Sequence, residues 1–118
     1  MTKVTFAPER VESFIGQVKF DANGLVPVIA QQHDNGKVLM LAWMNADALR
    51  LTLQTGDVTY WSRSRQELWR KGATSGHVQS LHGAALDCDG DALLLHVEQA
   101  GPACHTGAEN CFFVKLTA

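Results

Sequence analysis

Three aspartates stand within five residues in Asp87-Cys88-Asp89-Gly90-Asp91, and carboxylates packed that densely repel one another unless a cation or water compensates them. Extended backbone puts side chains i, i+2 and i+4 on one face. On such a strand Asp87, Asp89 and Asp91 converge and Cys88 points the other way. Hard oxygen donors in that arrangement suit Mg²⁺; a solvated acidic turn is the alternative reading. With Glu98 the same aspartates fall in the spacing of a calcium-binding loop, but the position that needs glycine for its sharp turn holds Ala92, and residues 93–97 read as a strand. A calcium loop is therefore rejected.

Cys88, Cys104 and Cys111 are separated by 15 and then 6 residues, a spacing that fits no paired-cysteine finger or ribbon. Cys104 lies in Gly-Pro-Ala-Cys-His-Thr-Gly and Cys111 in Glu-Asn-Cys-Phe, contexts in which a space-filling cysteine is less expected. Three thiolates on one Zn²⁺ leave a tetrahedral position open, as catalytic rather than closed structural sites do; inert packing is the other reading of the same residues.

A third segment, residues 60–77, concentrates four of the ten basic residues, Arg63, Arg65, Arg70 and Lys71, among hydroxyls and two glycines. Charge-assisted hydrogen bonds from Arg and Lys, with neutral donors from Thr74, Ser75 and glycine-exposed amides, make an anion cradle, although no Walker loop is present. A solvated face with structural ion pairs is the alternative. Trp61 and Trp69 are aromatic enough to stack on a base and equally suited to a core.

The rest of the chain limits what these segments serve. With 118 residues, a net charge of -2, 46% hydrophobic and 19% charged residues, it is expected to fold as a single domain over 1–118 and is neither disordered nor generally attractive to nucleic acid. The apolar run at 38–44 is too short to span a bilayer. Residues 1–10 do not read as a secretory signal, and an odd number of cysteines argues against a disulfide framework, so a cytoplasmic protein is expected.

Positioning elements follow from the patterning. Pro8 opens a short helix over 8–16 with Val11, Phe14 and Ile15 on one side. Residues 25–31 and 38–44 form a hairpin around Asn35-Gly36, with positive φ expected at both turn residues. Asn45 caps a helix running through Leu53, and Gly56 follows it. Strands are expected at 57–63, 79–86, 93–99 and 112–116, whereas 62–76 and 101–110 read as loops that carry function. The fold class is α+β, a mostly antiparallel sheet with one or two helices.

The basic segment from Trp61 to His77, the Asp-Cys-Asp-Gly-Asp run and Gly-Pro-Ala-Cys-His-Thr-Gly followed by Cys111-Phe112, in that order and with those gaps, resemble the phosphoribosyl-AMP cyclohydrolases of histidine biosynthesis over about residues 26–113. The resemblance implies a compact, intertwined homodimer that hydrolyses the N1–C6 bond of N1-(5-phosphoribosyl)-AMP with Zn²⁺ and Mg²⁺. It assigns Cys88, Cys104 and Cys111 to zinc, in a site assembled across the dimer interface, and Asp87, Asp89 and Asp91 to magnesium. Ala73 departs from the family pattern, in which many members carry Glu after Lys-Gly. Because the sequence ends shortly after Cys111, a fused pyrophosphohydrolase domain is not expected.

In the mechanism so implied, zinc lowers the pKa of a water that attacks C6 of the N1-substituted ring. His105, beside Cys104, is the first candidate for proton transfer and His77 the second; His33, His82 and His96 read as structural hydrogen-bonders. Arg63, Arg65, Lys71, Thr74, Ser75 and Trp61 are the candidate substrate-binding residues. The competing readings are a zinc-dependent deaminase of another nucleotide, a zinc-stabilised nucleic-acid-binding module, which the net charge disfavours, and a dimeric scaffold with incidental cysteines.

Overall fold

Alternate residues of β1 (Val26–Gln32) are buried, Val26, Val28 and Ala30 facing inward, which is the period expected of a strand with one face on a core. The computed structural model describes residues 3–118. β1 pairs antiparallel with β2 (Val38–Met44) and parallel with β6 (Leu93–Gln99), and β6 pairs antiparallel with β5 (Gln79–Leu86), giving the order β2-β1-β6-β5. The sheet is therefore mixed: its central pairing is parallel, because the long excursion between β1 and β6 lets the chain return in the same direction. A separate two-stranded ribbon joins β3 (Thr59–Ser62) to β4 (Glu67–Arg70).

Two helices cover the apolar face. α1 (Pro8–Ile15) starts with proline in its first turn, where a missing N–H costs nothing. α2 (Ala46–Thr55) is capped by Asn45, whose side chain accepts 2.8 Å from the Ala48 N–H, and ends at Gly56. Arg50 of α2 grips Glu12 of α1 with two hydrogen bonds, Nε to Oε2 at 2.7 Å and Nη2 to Oε1 at 3.0 Å. Val11, Leu49 and Leu53 bury against Val28, Leu81, Leu95 and Val97 of the sheet. The Thr52 hydroxyl, fully buried, accepts from the Thr59 N–H at 2.9 Å and so ties α2 to β3.

A bulge in β5 keeps this core continuous. Leu81 faces Val97, Ala84 faces Leu95 and Leu86 faces Leu93, although Leu81 and Ala84 have opposite parity along the chain; the register shifts between Leu81 and Gly83, leaving His82 as the extra residue. An inserted residue re-phases the strand and re-aims one side chain.

The expected helices and the strands at 25–31, 38–44, 79–86 and 93–99 are present within a residue or two. Four expectations are corrected. Residues 112–116 form no strand: the Cys111 N–H donates 2.8 Å to Leu39 O on the edge strand β2, and the chain then leaves the sheet. The loop at 62–76 contains β4, which burial patterning could not reveal because all four of its residues are exposed. In the β1–β2 connection only Gly36 takes positive φ, Asn35 instead accepting the Lys37 N–H on its side chain. Finally, Asp87 to Asp91 is a turn rather than extended strand, since β5 ends at Leu86 and the Gly90 N–H closes back on Asp87 O at 3.0 Å.

Candidate active site

Lys71 leaves the end of β4 and turns inward. Its N–H donates to Val58 O, and its Nζ donates 2.6 Å to the carbonyl of Ala103, which pins the loop after β6 to the loop after β4. Gly72 follows with φ 81°, and a Cβ there would stand 2.4 Å from the Val78 amide nitrogen, so only glycine lets the loop fold back so closely. The loop re-enters β5 through His77, whose N–H donates 3.2 Å to Ser75 Oγ and whose carbonyl accepts from Gln99 Nε2 at 3.1 Å. The His77 ring lies against Gly101, where a Cβ would approach Cδ2 to 2.7 Å.

Between these loops opens a cleft of about 470 Å³. Arg65, Lys71, Thr74, Ser75 and His77 line one side, and Cys104 with His105 lines the other. These seven residues, all singled out in the sequence, thus meet in one place, and Trp69 lines the same cleft. Trp61 and Arg63 do not join them: they line a neighbouring pocket of about 410 Å³ with Asn45 and Gln66, and the Arg63 guanidinium lies 4.5 Å above the Trp43 ring.

The three cysteines are free. Hydrogen bonds from Thr106, including its hydroxyl at 3.0 Å, hold the Cys104 thiol below its ordinary pKa, with Cys111 and the Lys71 ammonium helping and burial opposing. Burial and the neighbouring Cys104 push Cys111 up, and Lys71 draws it down. Burial in turn pushes Lys71 down, against the pull of both cysteines. A thiol pair beside a buried cation is a soft donor set suited to zinc, and two thiols leave that set one short of three.

Cys88 is not among them. It sits in the β5–β6 turn, where ligand atoms of Asp87, Cys88 and Asp89 lie within 4.8 Å of one another, all three residues exposed. The cleft adjoins the start of β5 and the end of β6, so the turn and the cleft occupy opposite ends of one hairpin, about 25 Å apart at the rise of a strand. Within the turn, burial raises the Asp87 carboxyl, but hydrogen bonds from Asp91 and from the backbone of Ala92 and Gly90 outweigh it and leave it below its ordinary value. The Asp87 carboxyl and its charge push Asp91 up. Carboxylates so crowded are a hard donor set that suits a divalent cation.

Sequence reasoning missed a buried polar chain beneath the cleft. Tyr60 Oη donates 2.6 Å to Gln79 Oε1, Gln79 Nε2 donates 2.8 Å to Gln99 Oε1, and Gln99 in turn holds His77. Burial pushes the Tyr60 phenol far above its ordinary pKa, so it remains a donor. Glutamines within strands carry no signal of such a chain. A second omission is His33, His82 and Glu98, which the turn after β1, the β5 bulge and β6 bring together.

The sequence model of phosphoribosyl-AMP cyclohydrolase matches residues 40–113. Proteins of that name are similar over most of the chain. One from Rhodospirillum centenum is 62% identical over 103 residues, 87% of this chain and 77% of the relative. One from Acidiphilium cryptum is 63% identical over 103 residues, 87% and 89% of the two. One from Gluconobacter oxydans is 62% identical over 117 residues, 99% and 74%.

Proposed function

The chain belongs to the phosphoribosyl-AMP cyclohydrolase family, and on that footing we propose that it opens the adenine ring of N1-(5-phosphoribosyl)-AMP by hydrolysis at N1–C6, a step of L-histidine biosynthesis, as a zinc- and magnesium-dependent homodimer of the cytoplasm. The observation that carries this reading is the meeting of the 71–77 loop and the 102–107 loop in one cleft, with a thiol pair and a buried lysine behind it.

Cys104 and Cys111 from one chain and Cys88 from a second hold the zinc, since one hairpin cannot bring all three together. Asp87, Asp89 and Asp91 hold the magnesium. Zinc supplies an acidified water as nucleophile and Lewis-acid stabilisation of developing charge. The chain's own groups do the rest. Arg65, Thr74 and Ser75 bind phosphate and ribose oxygens on the open side of the cleft. His105 takes the proton released as water adds to C6 and returns it to N1 as the N1–C6 bond breaks, leaving a carboxamide and a formimino group. His77, fixed through its backbone by Ser75 and Gln99, orients the ring or shares the transfer.

Exposed apolar side chains support the second chain. Leu68 and Trp69 on β4 and Phe112 and Phe113 on the tail are exposed in the single chain, apolar surface that a second copy would cover. No helix among the described residues is long and apolar enough to cross a membrane.

Ultraviolet-monitored turnover of N1-(5-phosphoribosyl)-AMP tests the reading, with and without a zinc chelator and with and without Mg²⁺. Chelator-sensitive ring opening is expected. No turnover by metal-loaded dimer overturns it, and a panel of other purine nucleotides then tests the deaminase alternative.

A further inference from the structure

We propose that His33, His82 and Glu98 form a binding site for one divalent transition-metal ion, of the imidazole-seeking kind represented by Zn²⁺ or Co²⁺, distinct from the thiol and aspartate sites. Each residue comes from a different strand region. Glu98 lies on β6, the strand between β1 and β5; His33 follows the end of β1, its N–H donating 2.9 Å to Val97 O; His82 is the bulge residue of β5. The imidazoles reach over β6 from both flanks and stack with centroids 3.8 Å apart and planes inclined by 12°. His33 Nε2 stands 3.4 Å from Glu98 Oε1, and one ligand atom from each residue lies within 4.8 Å of the others.

Two imidazoles and a carboxylate are a donor set that divalent zinc and its neighbours take readily. A second observation points the same way. His82 Nε2 is buried without any hydrogen-bond partner, alone in this among side-chain nitrogens and oxygens of the described residues. A buried nitrogen with no partner has forfeited the hydrogen bond it made in water, an arrangement native proteins avoid unless something fills it. The bulge supplies a reason for its placement, because the inserted residue is the one whose side chain is re-aimed. Parallel rings do not point their lone pairs at one atom, so loading requires one imidazole to turn about its side-chain torsions. His33, whose side chain keeps 27% of its exposure, has room to do so.

The test is zinc stoichiometry in the full-length protein with its thiol site filled. Equilibrium dialysis against buffered free Zn²⁺, followed by elemental analysis, should find one more zinc per chain in the wild type than in His82→Ala, with turnover unchanged. His33→Gln and Glu98→Gln, both at partly exposed positions outside the bulge, guard against a folding defect and should lose the same equivalent. With Co²⁺ as probe, the extra ion should give a spectrum without thiolate-to-cobalt charge transfer, lost in His33→Gln and retained in Cys104→Ser. Equal stoichiometry in the wild type and the folded variants overturns the site. Failure of the thiol site appears instead as missing charge transfer in the wild type, so the two outcomes are separate.

Discussion

Lys71 Nζ donates a 2.6 Å hydrogen bond to the carbonyl of Ala103, the residue before Cys104. Through that bond the basic loop positions the Cys104 loop 32 residues further along the chain, and the Lys71 ammonium favours the thiolate form of both Cys104 and Cys111. Lys71→Met should leave the Ala103 carbonyl unpaired and cost about 1–3 kcal/mol of stability. It should also weaken zinc retention roughly 10- to 100-fold, as loss of a supporting group around a metal site does. Urea unfolding and chelator competition measure the two effects; a variant with unchanged zinc affinity would confine Lys71 to packing.

Cys88 and Cys104 at opposite ends of one hairpin make subunit mixing informative. Cys88→Ser and Cys104→Ser should each abolish turnover alone. Co-refolded in equal amounts, they should recover roughly a quarter of wild-type activity, because half the dimers are mixed and each mixed dimer holds one intact site. No recovery would mean that the ligands are not shared between chains.

Replacement of Asp89 by Asn removes one charge from the crowded turn. Magnesium dependence of turnover should shift to higher Mg²⁺, while zinc per chain, read by elemental analysis, stays the same. Since the Cys88 thiol lies within 4.8 Å of ligand atoms of Asp87 and Asp89, loss of both metals would show that the turn serves one composite site.

His105→Ala is expected to lower kcat by about 10² or more if the imidazole moves a proton. A change restricted to KM would assign His105 to binding and leave His77 as the proton carrier.

Gln79, fully buried, holds Tyr60 and Gln99 together. Gln79→Leu should cost about 1–3 kcal/mol by stranding both partners, and the double variant with Tyr60→Phe should lose less than the sum of the single losses. Additive losses in urea unfolding would mean that the two side chains do not act through their hydrogen bond.

Period and punctuation made much of the scaffold legible. Asn45 before an i, i+4 leucine pair and Gly56 behind it mark α2 because capping is a local matter of unsatisfied N–H groups. The apolar, β-favouring runs at 25–31 and 93–99 mark strands from local composition, and the structure shows that alternate residues of β1 and β6 are the buried ones. β4 was invisible because Glu67, Leu68, Trp69 and Arg70 are all exposed and become a strand only by pairing with Thr59–Ser62. The strand expected at 112–116 erred in the opposite direction: its residues are β-favouring, and β structure needs an edge to pair with.

Residue chemistry by itself singled out the candidate groups: the cysteines, the aspartates, Lys71, Thr74, Ser75, His77 and His105 are all conspicuous by type and context. Only the tertiary structure decided how they group. It sent Trp61 and Arg63 to a neighbouring pocket, joined Cys104 to Lys71, and separated Cys88 by the length of a hairpin. It also gathered His33, His82 and Glu98 above β6. The reason is that donor type is a property of single residues, whereas distance between donors depends on strand order, register and the single inserted residue at His82, none of which a local pattern encodes.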